Sequence, residues 1–295
     1  MKRRLHNLIL QYNTMWGEDL ETGPLELPGG WEFTTDRSRY REAGVVIFHI
    51  PTMPRFRWPL KRFGQRWVAW SMECDVHYPQ LRNPLFMALF DVKMTYRRSA
   101  DVWIPHLRPD LPETVIAPPK QKESECLIAW FSRNTMDRSG RGTYVRDLMK
   151  YMDVHAYGSY LQNHKLEVDL GRSSKLKTLA RYKFTIAFEN AFGDDYVTEK
   201  VFDALVAGSI PIFLGTRDVN EFLPGERCMI DTADFAGPRE LAEHLRYLDN
   251  NEQAYAEHMA WRSKPLRKSF VEMCEGLRER PLVRLCRFLS GGAGS

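Results

Sequence analysis

The sequence has no hydrophobic run of the length that crosses a bilayer. Two apolar runs, "GVVIFHI" at 44–50 and "IPIFLG" at 210–215, have the length of strands, whereas a membrane-spanning helix needs about 20 apolar residues. The charged start, "MKRRLHNLILQYNTMW", contains an apolar stretch that is too short for a signal peptide or an anchor. The sequence therefore predicts neither a membrane span nor a leader.

Cysteine is scarce, and its spacing follows no pattern. The five cysteines are an odd number, and they are Cys74, Cys126, Cys228, Cys274 and Cys286. This spacing matches neither a zinc site nor the disulfide framework of a secreted protein. We predict reduced and mostly buried thiols, and a Cys274–Cys286 bridge stays open as an alternative.

Charge of one sign is not in large excess, and clustered metal ligands are missing. The net charge of +4 does not indicate a nucleic-acid partner, but it is compatible with a small anionic ligand. No D-x-D run occurs, and Asp194 and Asp195 are adjacent rather than spaced. The eight histidines are scattered without a spaced ligand pair. We therefore expect no required metal.

The order of the predicted elements indicates two α/β domains. A chain of 295 residues is long for one core, and strands that alternate with helices predict parallel sheets. The first half has strand patterns or strand–helix patterns at 44–51, 65–75 and 86–109. The segment "PPKQKESE" at 118–125 is rich in proline and charge and is the best linker.

A second alternating series follows the linker. Its predicted strands and helices lie at 126–132, 140–152, 152–158, 182–215 and 234–261. We predict domains at 1–118 and 119–295, with the option that the last helix packs back on the first domain. Ligands of such sheets bind beyond the carboxyl ends of the strands, so two such domains would face a central cleft.

One β-α-β unit, "YKFTIAFENAFGDDYVTEKVFDALVAGSIPIFLG" at 182–215, carries the clearest functional signal. It predicts a strand that ends at Glu189 and a helix that begins at Tyr196, with Asp195 as the N-cap. Lys200 then lies near the positive end of the helix dipole, where a cation is unfavourable. An anion such as a diphosphate at this helix end would explain the lysine. The simpler alternative is a solvent-exposed Glu–Lys pair.

This stretch closely resembles the signature of the α1,3/4-fucosyltransferases, glycosyltransferase family ten. The signature reads roughly "YKF.LAFEN…DYVTEK…A…G.IPI..G". The resemblance extends upstream to "WVAWSMECD" and "MTYRRSAD" and downstream to "YLDNNEQAYAEHMAWR". It implies a GT-B enzyme, with two Rossmann-like domains, that transfers fucose from GDP-fucose with inversion. The first domain would bind the acceptor and the second the donor.

The resemblance also implies roles for individual residues. Lys200 would contact the diphosphate, and Glu199 the ribose or the fucose. Arg141 aligns with an arginine that contacts the diphosphate, and Arg138 stays open as an alternative. The remaining donor candidates are Glu189, Asn190 and Tyr196.

A carboxylate in the first domain is the proposed catalytic base of the family. Glu73 matches it, directly after the predicted strand "WVAWSM", and Asp75 is the alternative. A base suits the chemistry, because an acceptor hydroxyl attacks the anomeric carbon and must lose its proton. Cys74, Ser99 and Ala100 depart from the usual family pattern near this site.

Two rival functions remain at the level of sequence. One is a GT-B enzyme that uses another nucleotide sugar, and the other is a non-catalytic glycan-binding relative. The expected partners are GDP-fucose and a glycan acceptor with a GlcNAc-type hydroxyl, and the basic C-terminal helix is a candidate for peripheral membrane contact. We expect a cytoplasmic enzyme if the source is bacterial, and otherwise a location in the Golgi lumen with the anchor outside this sequence.

Overall fold

A computed structural model of the chain describes residues 6–21, 25–54 and 58–291. The chain divides into two compact units. The first contains the residues up to Pro105 together with those from Glu279 onward, and the second is His106–Arg278. Each unit is built on a parallel sheet, which confirms the predicted α/β class. The assignment of 1–118 to the acceptor and 119–295 to the donor stays a prediction.

The first unit has a six-stranded parallel sheet within the described residues. Its strands are β1 (His6–Gln11), β2 (Glu32–Thr34), β3 (Ala43–His49), β4 (Arg66–Ser71), β5 (Val92–Thr95) and β6 (Val102–Trp103). They pair in the order β2-β1-β3-β4-β5-β6. The sequence patterns at 44–51 and 65–75 predicted β3 and β4, whereas β1 was missed because its short apolar run follows a charged cluster.

Both faces of this sheet are covered. Successive residues of β3 and β4 point to opposite faces, so Val45, Ile47, Val68 and Trp70 pack in one core cluster while Val46, Phe48, Trp67 and Ala69 pack in another. The short helix α1 (Pro84–Met87) contributes Met87 to the second cluster.

The C-terminal helix α9 (Pro281–Leu289) belongs to this first unit. Its buried residues Leu282, Leu285 and Cys286 lie in the same cluster as Val45 and Trp70. The apolar side that suggested a membrane contact is therefore part of the core. No helix in the described ranges is both long and apolar enough to span a bilayer.

The second unit has a five-stranded parallel sheet among the residues described. Its strands are β7 (Ile128–Phe131), β8 (Val154–Tyr157), β9 (Phe184–Phe188), β10 (Ile210–Leu214) and β11 (Ile230–Asp231), in the order β11-β10-β9-β7-β8. Its helices are α2 (Leu111–Val115), α3 (Arg141–Leu148), α4 (Arg172–Leu179), α5 (Glu199–Val206), α6 (Pro238–Asn250), α7 (Glu252–Met259) and α8 (Lys268–Gly276). The segment at 234–261, which was predicted to be helical, forms two helices, α6 and α7. The break lies at Asn251, whose side chain caps the start of α7.

The helix of the β-α-β unit begins later than predicted. Helix α5 starts at Glu199, and Thr198 is its N-cap residue. Asp195 is not the N-cap, because its φ of 61° places it in a left-handed turn and its backbone N–H donates to Asp218. Gly208, with a φ of 71°, follows the end of the helix. Glu199 and Lys200 are therefore the first two residues of the helix.

All five cysteines are free and buried. The alternative of a Cys274–Cys286 bridge is therefore wrong. Burial raises the pKa of Cys274 to about 12 and that of Cys286 to about 11, which keeps both thiols protonated and unreactive.

Candidate functional site

Glu189, directly after β9, is the centre of the polar cluster in the second unit. Its side chain is completely buried, and both oxygens of its carboxyl group accept hydrogen bonds. It accepts hydrogen bonds from the Thr198 backbone N–H at 2.8 Å and from the Thr198 hydroxyl at 2.8 Å. The Lys200 ammonium donates to its other oxygen at 3.0 Å. The carboxylate thus joins the end of β9 to the start of α5.

The Lys200 side chain forms an ion pair with the Glu189 carboxylate. Its side chain is 17% exposed, and its Nζ lies 3.0 Å from Glu189 and 3.6 Å from Glu199. Burial alone would lower the pKa of Lys200, but the charges of Glu189 and Glu199 outweigh burial and raise it. A protein carboxylate therefore offsets the helix dipole here, so the lysine does not require a bound diphosphate. This corrects the argument from sequence.

The Lys200 ammonium retains hydrogen-bonding capacity. It donates to Glu189 and, at 2.7 Å, to the Thr198 hydroxyl. A lysine has three N–H donors, so within the described part of the chain one donor has no hydrogen-bonded acceptor. Lys200 can therefore keep its ion pair and still bind an anionic ligand.

Glu199 and Tyr196 lie at the same helix start and share one neighbour. The Glu199 side chain is about half exposed, and its carboxylate is 4.0 Å from the His106 ring nitrogen. Burial opposes ionisation of Glu199, but the charges of Lys200 and His106 hold its pKa well below the usual range. The buried ring of Tyr196 packs edge to face with His106, with 5.9 Å between ring centres.

Asn190 carries an unsatisfied polar atom into the cluster. Its backbone oxygen accepts from the N–H groups of Arg138 at 2.7 Å and Ser139 at 3.2 Å. Its side-chain oxygen is buried, and no hydrogen-bond donor reaches it from the described residues. A buried acceptor of this kind is costly unless a ligand or water supplies a donor.

Arg141, at the start of α3, is a buried cation of the same cluster. The side chain is 1% exposed, and its guanidinium donates to the carbonyls of Asn134 at 2.6 Å and Phe188 at 3.4 Å. Its Nε is buried without a hydrogen-bond acceptor, and it forms no ion pair within 4.0 Å in the described ranges. Burial lowers the pKa of Arg141, whereas Arg138 is exposed.

Sequence reasoning missed three residues of this cluster. Thr198 could have been identified, because a threonine before two helix-forming residues is a helix N-cap signal. Asp137 accepts the N–H groups of Gly140, Arg141 and Gly142 at 2.8–3.1 Å and so fixes the start of α3. His106 has no local signal, since it lies 93 residues before Glu199 in the sequence and meets it only in the fold.

The base candidates lie in the first unit, after β4. The Ser71 hydroxyl accepts the Glu73 backbone N–H at 3.1 Å and donates to the Glu73 carbonyl at 3.3 Å, which fixes the backbone. In the described residues, the Glu73 carboxylate has neither a hydrogen bond nor an ion pair. Burial, and then the Glu73 charge, raise the pKa of Tyr78, which places that charge close to the phenol.

Asp75 is a different kind of carboxylate. It is buried and forms an ion pair with Arg97 at 2.6 Å. The Tyr96 hydroxyl donates to it at 3.3 Å, and the Arg82 guanidinium lies 3.8 Å away. These partners hold the Asp75 carboxylate in place, whereas the Glu73 carboxylate has no such partner in the described residues.

No group of three or more His, Cys, Asp or Glu residues that could hold a metal ion occurs in the part of the chain that the structure describes.

Family comparisons cover nearly the whole chain. The family model "Glycosyltransferase family 10 (fucosyltransferase) C-term" matches residues 119–293, and "Fucosyltransferase, N-terminal" matches residues 5–107. Among curated proteins, 4-galactosyl-N-acetylglucosaminide 3-alpha-L-fucosyltransferase FUT6 of Homo sapiens is 33% identical over 80% of this chain and 66% of its own length. 4-galactosyl-N-acetylglucosaminide 3-alpha-L-fucosyltransferase 9 of Rattus norvegicus is 30% identical over 79% of this chain and 64% of its own. This chain thus spans about two thirds of the length of these relatives.

Solved structures show the same fold. An alpha1,3-fucosyltransferase with GDP superposes with a TM-score of 0.59 over 93% of this chain and 91% of its own, at 15% identity. An alpha1,3-fucosyltransferase with GDP-fucose gives 0.56 over 85% and 80%, at 16% identity. The predicted GT-B fold class is confirmed.

Proposed function

The chain belongs to glycosyltransferase family 10, and on this premise we propose that it transfers L-fucose from GDP-fucose to a GlcNAc-type hydroxyl of a glycan, with inversion and in α1,3 linkage. The observation that carries the proposal is the polar cluster at the β9–α5 junction. It combines the Lys200 ammonium, which has one N–H donor without an acceptor, with the unsatisfied side-chain oxygen of Asn190 and the buried guanidinium of Arg141, which has no ion pair in the described residues. All three lie at the carboxyl edge of a parallel sheet, where nucleotides bind.

The donor roles follow from these groups. Lys200 offers its remaining N–H, and Arg141 its buried charge, to the diphosphate. Glu199 and the Asn190 side-chain oxygen are acceptors for hydroxyl groups of the ribose or the fucose. Glu189 acts on the donor indirectly, by holding Lys200 and Thr198, and Tyr196 packs beside them against His106.

The acceptor step is assigned to Glu73. As the acceptor hydroxyl attacks the anomeric carbon, the bond to the diphosphate oxygen breaks and GDP leaves with the bonding electrons. Glu73 takes the hydroxyl proton. Its carboxylate is unpaired in the described structure, so no ion pair must break first.

A donor and acceptor panel tests the proposal. The full chain is incubated with N-acetyllactosamine and, in separate reactions, with GDP-fucose, GDP-mannose and UDP-galactose, and the product linkage is determined. Transfer from GDP-fucose alone, with a fucose on O3 of GlcNAc, is expected. Transfer from another nucleotide sugar would favour the first rival function, and GDP-fucose binding without turnover would favour the non-catalytic one. The location in a bacterial cytoplasm or a Golgi lumen stays a prediction.

A direct test can decide whether Arg141 or Arg138 contacts the diphosphate. A buried guanidinium without an ion pair is unfavourable until an anion neutralises it, whereas the exposed Arg138 needs no partner. Arg141→Lys keeps the charge but loses the fork of donors, so we expect its Kd for GDP, measured by calorimetry, to rise at least about tenfold.

Arg138→Ala is the matched variant in the same loop, and its Kd for GDP should stay within about threefold of the wild-type value. Thermal unfolding identifies any loss of fold. The reverse pattern, with weak GDP binding in Arg138→Ala and normal binding in a folded Arg141→Lys, would assign the diphosphate contact to Arg138.

We also propose transfer without a divalent ion. Lys200, Arg141 and the start of α5 would stabilise the departing GDP in place of a metal. Activity is expected to survive dialysis against EDTA and to change less than about twofold when Mg²⁺ or Mn²⁺ is added. Complete loss of activity in EDTA, with recovery on addition of Mn²⁺, would contradict the proposal.

A further inference from the structure

Trp16 occupies a strained and exposed position just after β1. The Met15 and Glu18 backbones exchange two hydrogen bonds, of 2.8 and 3.0 Å, around a two-residue turn. The two turn residues, Trp16 and Gly17, have φ values of 50° and 101°. Positive φ at both central residues is typical of a type I′ turn, which favours Asn-Gly. A tryptophan there is unusual, and its side chain is 57% exposed.

The turn lies at the carboxyl edge of the first unit's sheet. The Trp16 ring packs edge to face on His49, the last residue of β3, with 5.0 Å between ring centres. His49 in turn packs on Trp70 of β4 at 4.8 Å. Because Glu73 follows Trp70 by three residues, the exposed indole belongs to the same edge as the proposed base.

Hydrogen bonds around His49 fix its tautomer. The Thr52 hydroxyl donates its proton to the Thr14 carbonyl at 2.6 Å and accepts from the Asn13 amide at 2.8 Å. Its remaining lone pair must therefore accept from His49 Nδ1, which is 2.9 Å away. Burial lowers the pKa of His49 to about 4, so the ring is neutral and its Nε2 carries a lone pair.

Two polar atoms in the rings that support Trp16 have no hydrogen-bond partner in the described residues. His49 Nε2 is a buried acceptor and Trp70 Nε1–H is a buried donor, and neither has a partner among the described residues. Both rings are closed to solvent, with 0% of His49 and 1% of Trp70 exposed, so neither atom reaches a ligand at the surface. The surface that this edge offers to a ligand is therefore the exposed indole of Trp16, a flat apolar face of the kind on which sugar rings stack.

We propose that Trp16 is an acceptor-binding residue whose indole stacks on a pyranose ring of the glycan. This inference rests on the proposed function and adds to it the residue that positions the acceptor. His49 acts as a positioning residue, because its ring holds the indole edge-on. The strained turn presents the indole at this edge.

The test uses the turn's own sequence preference to separate folding from binding. Trp16→Asn creates the Asn-Gly pair that a type I′ turn favours, so the melting temperature should stay equal or rise. The KM for N-acetyllactosamine should rise about tenfold or more, since one stacked ring accounts for roughly a tenfold change in affinity. Trp16→Phe should restore most of the acceptor affinity, because it returns an aromatic face to the turn.

The matched control is Phe63→Ala. Phe63 is an aromatic residue of the same unit that is 90% exposed, but it precedes β4 and so lies at the amino edge of the sheet. Its KM for N-acetyllactosamine should not change. A normal KM in Trp16→Asn, with active wild-type enzyme, overturns the inference and leaves the proposed function intact. A wild-type chain that binds no GDP-fucose defeats the proposed function instead.

Discussion

Replacing Lys200 with alanine is expected to destabilise the protein by about 3–5 kcal/mol, because removal of one partner leaves a buried charge uncompensated. The charge is that of Glu189, which is fully buried and has Lys200 as its ion-pair partner at 3.0 Å. Two hydrogen bonds from Thr198 would remain, but they do not neutralise the carboxylate. Urea unfolding of the variant, compared with the wild type, measures the effect.

A double variant separates this structural role from GDP binding. Glu189→Gln combined with Lys200→Ala removes both charges, so most of the lost stability should return. Affinity for GDP should nevertheless stay about 10- to 100-fold below the wild-type value, because the charge-assisted contact to phosphate is gone. Normal GDP affinity in the double variant would show that Lys200 serves only the ion pair.

Lys150→Ala provides the matched control for stability. Lys150 forms an ion pair with Asp147 at 2.6 Å, but both side chains are largely exposed. Exposed pairs contribute little, so this variant should leave the free energy of unfolding essentially unchanged. If Lys150→Ala and Lys200→Ala lower the free energy of unfolding equally, the burial of Glu189 is not the cause of the destabilisation in Lys200→Ala.

The ion pair between Lys200 and Glu189 shows why the sequence predicted the secondary-structure elements better than the contacts within the site. The alternation at 182–188 predicts β9, and a long specific motif predicts the family. The dipole argument correctly identified Lys200 as a cation that needs an anion. It could not identify Glu189 as that anion, because the two residues are 11 positions apart and meet only when the turn between them folds.

Two other features of the fold depend on contacts that local sequence does not show. The start of α5 was placed at Tyr196 because Asp195 is a common N-cap residue type, but a left-handed turn at Asp195 delays the helix to Glu199. The sequence left open whether the last helix packs back on the first domain, because the answer depends on which apolar face of the assembled sheet remains uncovered and not on the helix itself. Tertiary packing, not local propensity, decides both.

Replacing Glu73 with glutamine is expected to slow fucose transfer by roughly 10²–10⁴-fold, the usual contribution of a general base. The amide keeps the size of the side chain but cannot take the acceptor proton. Stability should be unaffected, because the Glu73 carboxylate forms no hydrogen bond or ion pair in the described structure. GDP-fucose affinity should also be unaffected, because the proposed donor residues belong to the second unit. Single-turnover transfer at saturating acceptor separates chemistry from binding.

Asp75→Asn is the comparison that decides between the two carboxylates. Asp75 is buried against Arg97 and accepts from Tyr96, so its loss should lower the free energy of unfolding by about 3 kcal/mol or more. The folded fraction should still transfer fucose within about tenfold of the wild-type single-turnover rate, because a structural acid takes no proton from the acceptor. If Glu73→Gln keeps a near-normal single-turnover rate while folded Asp75→Asn does not, Asp75 is the base, and Arg97 must release it during the reaction.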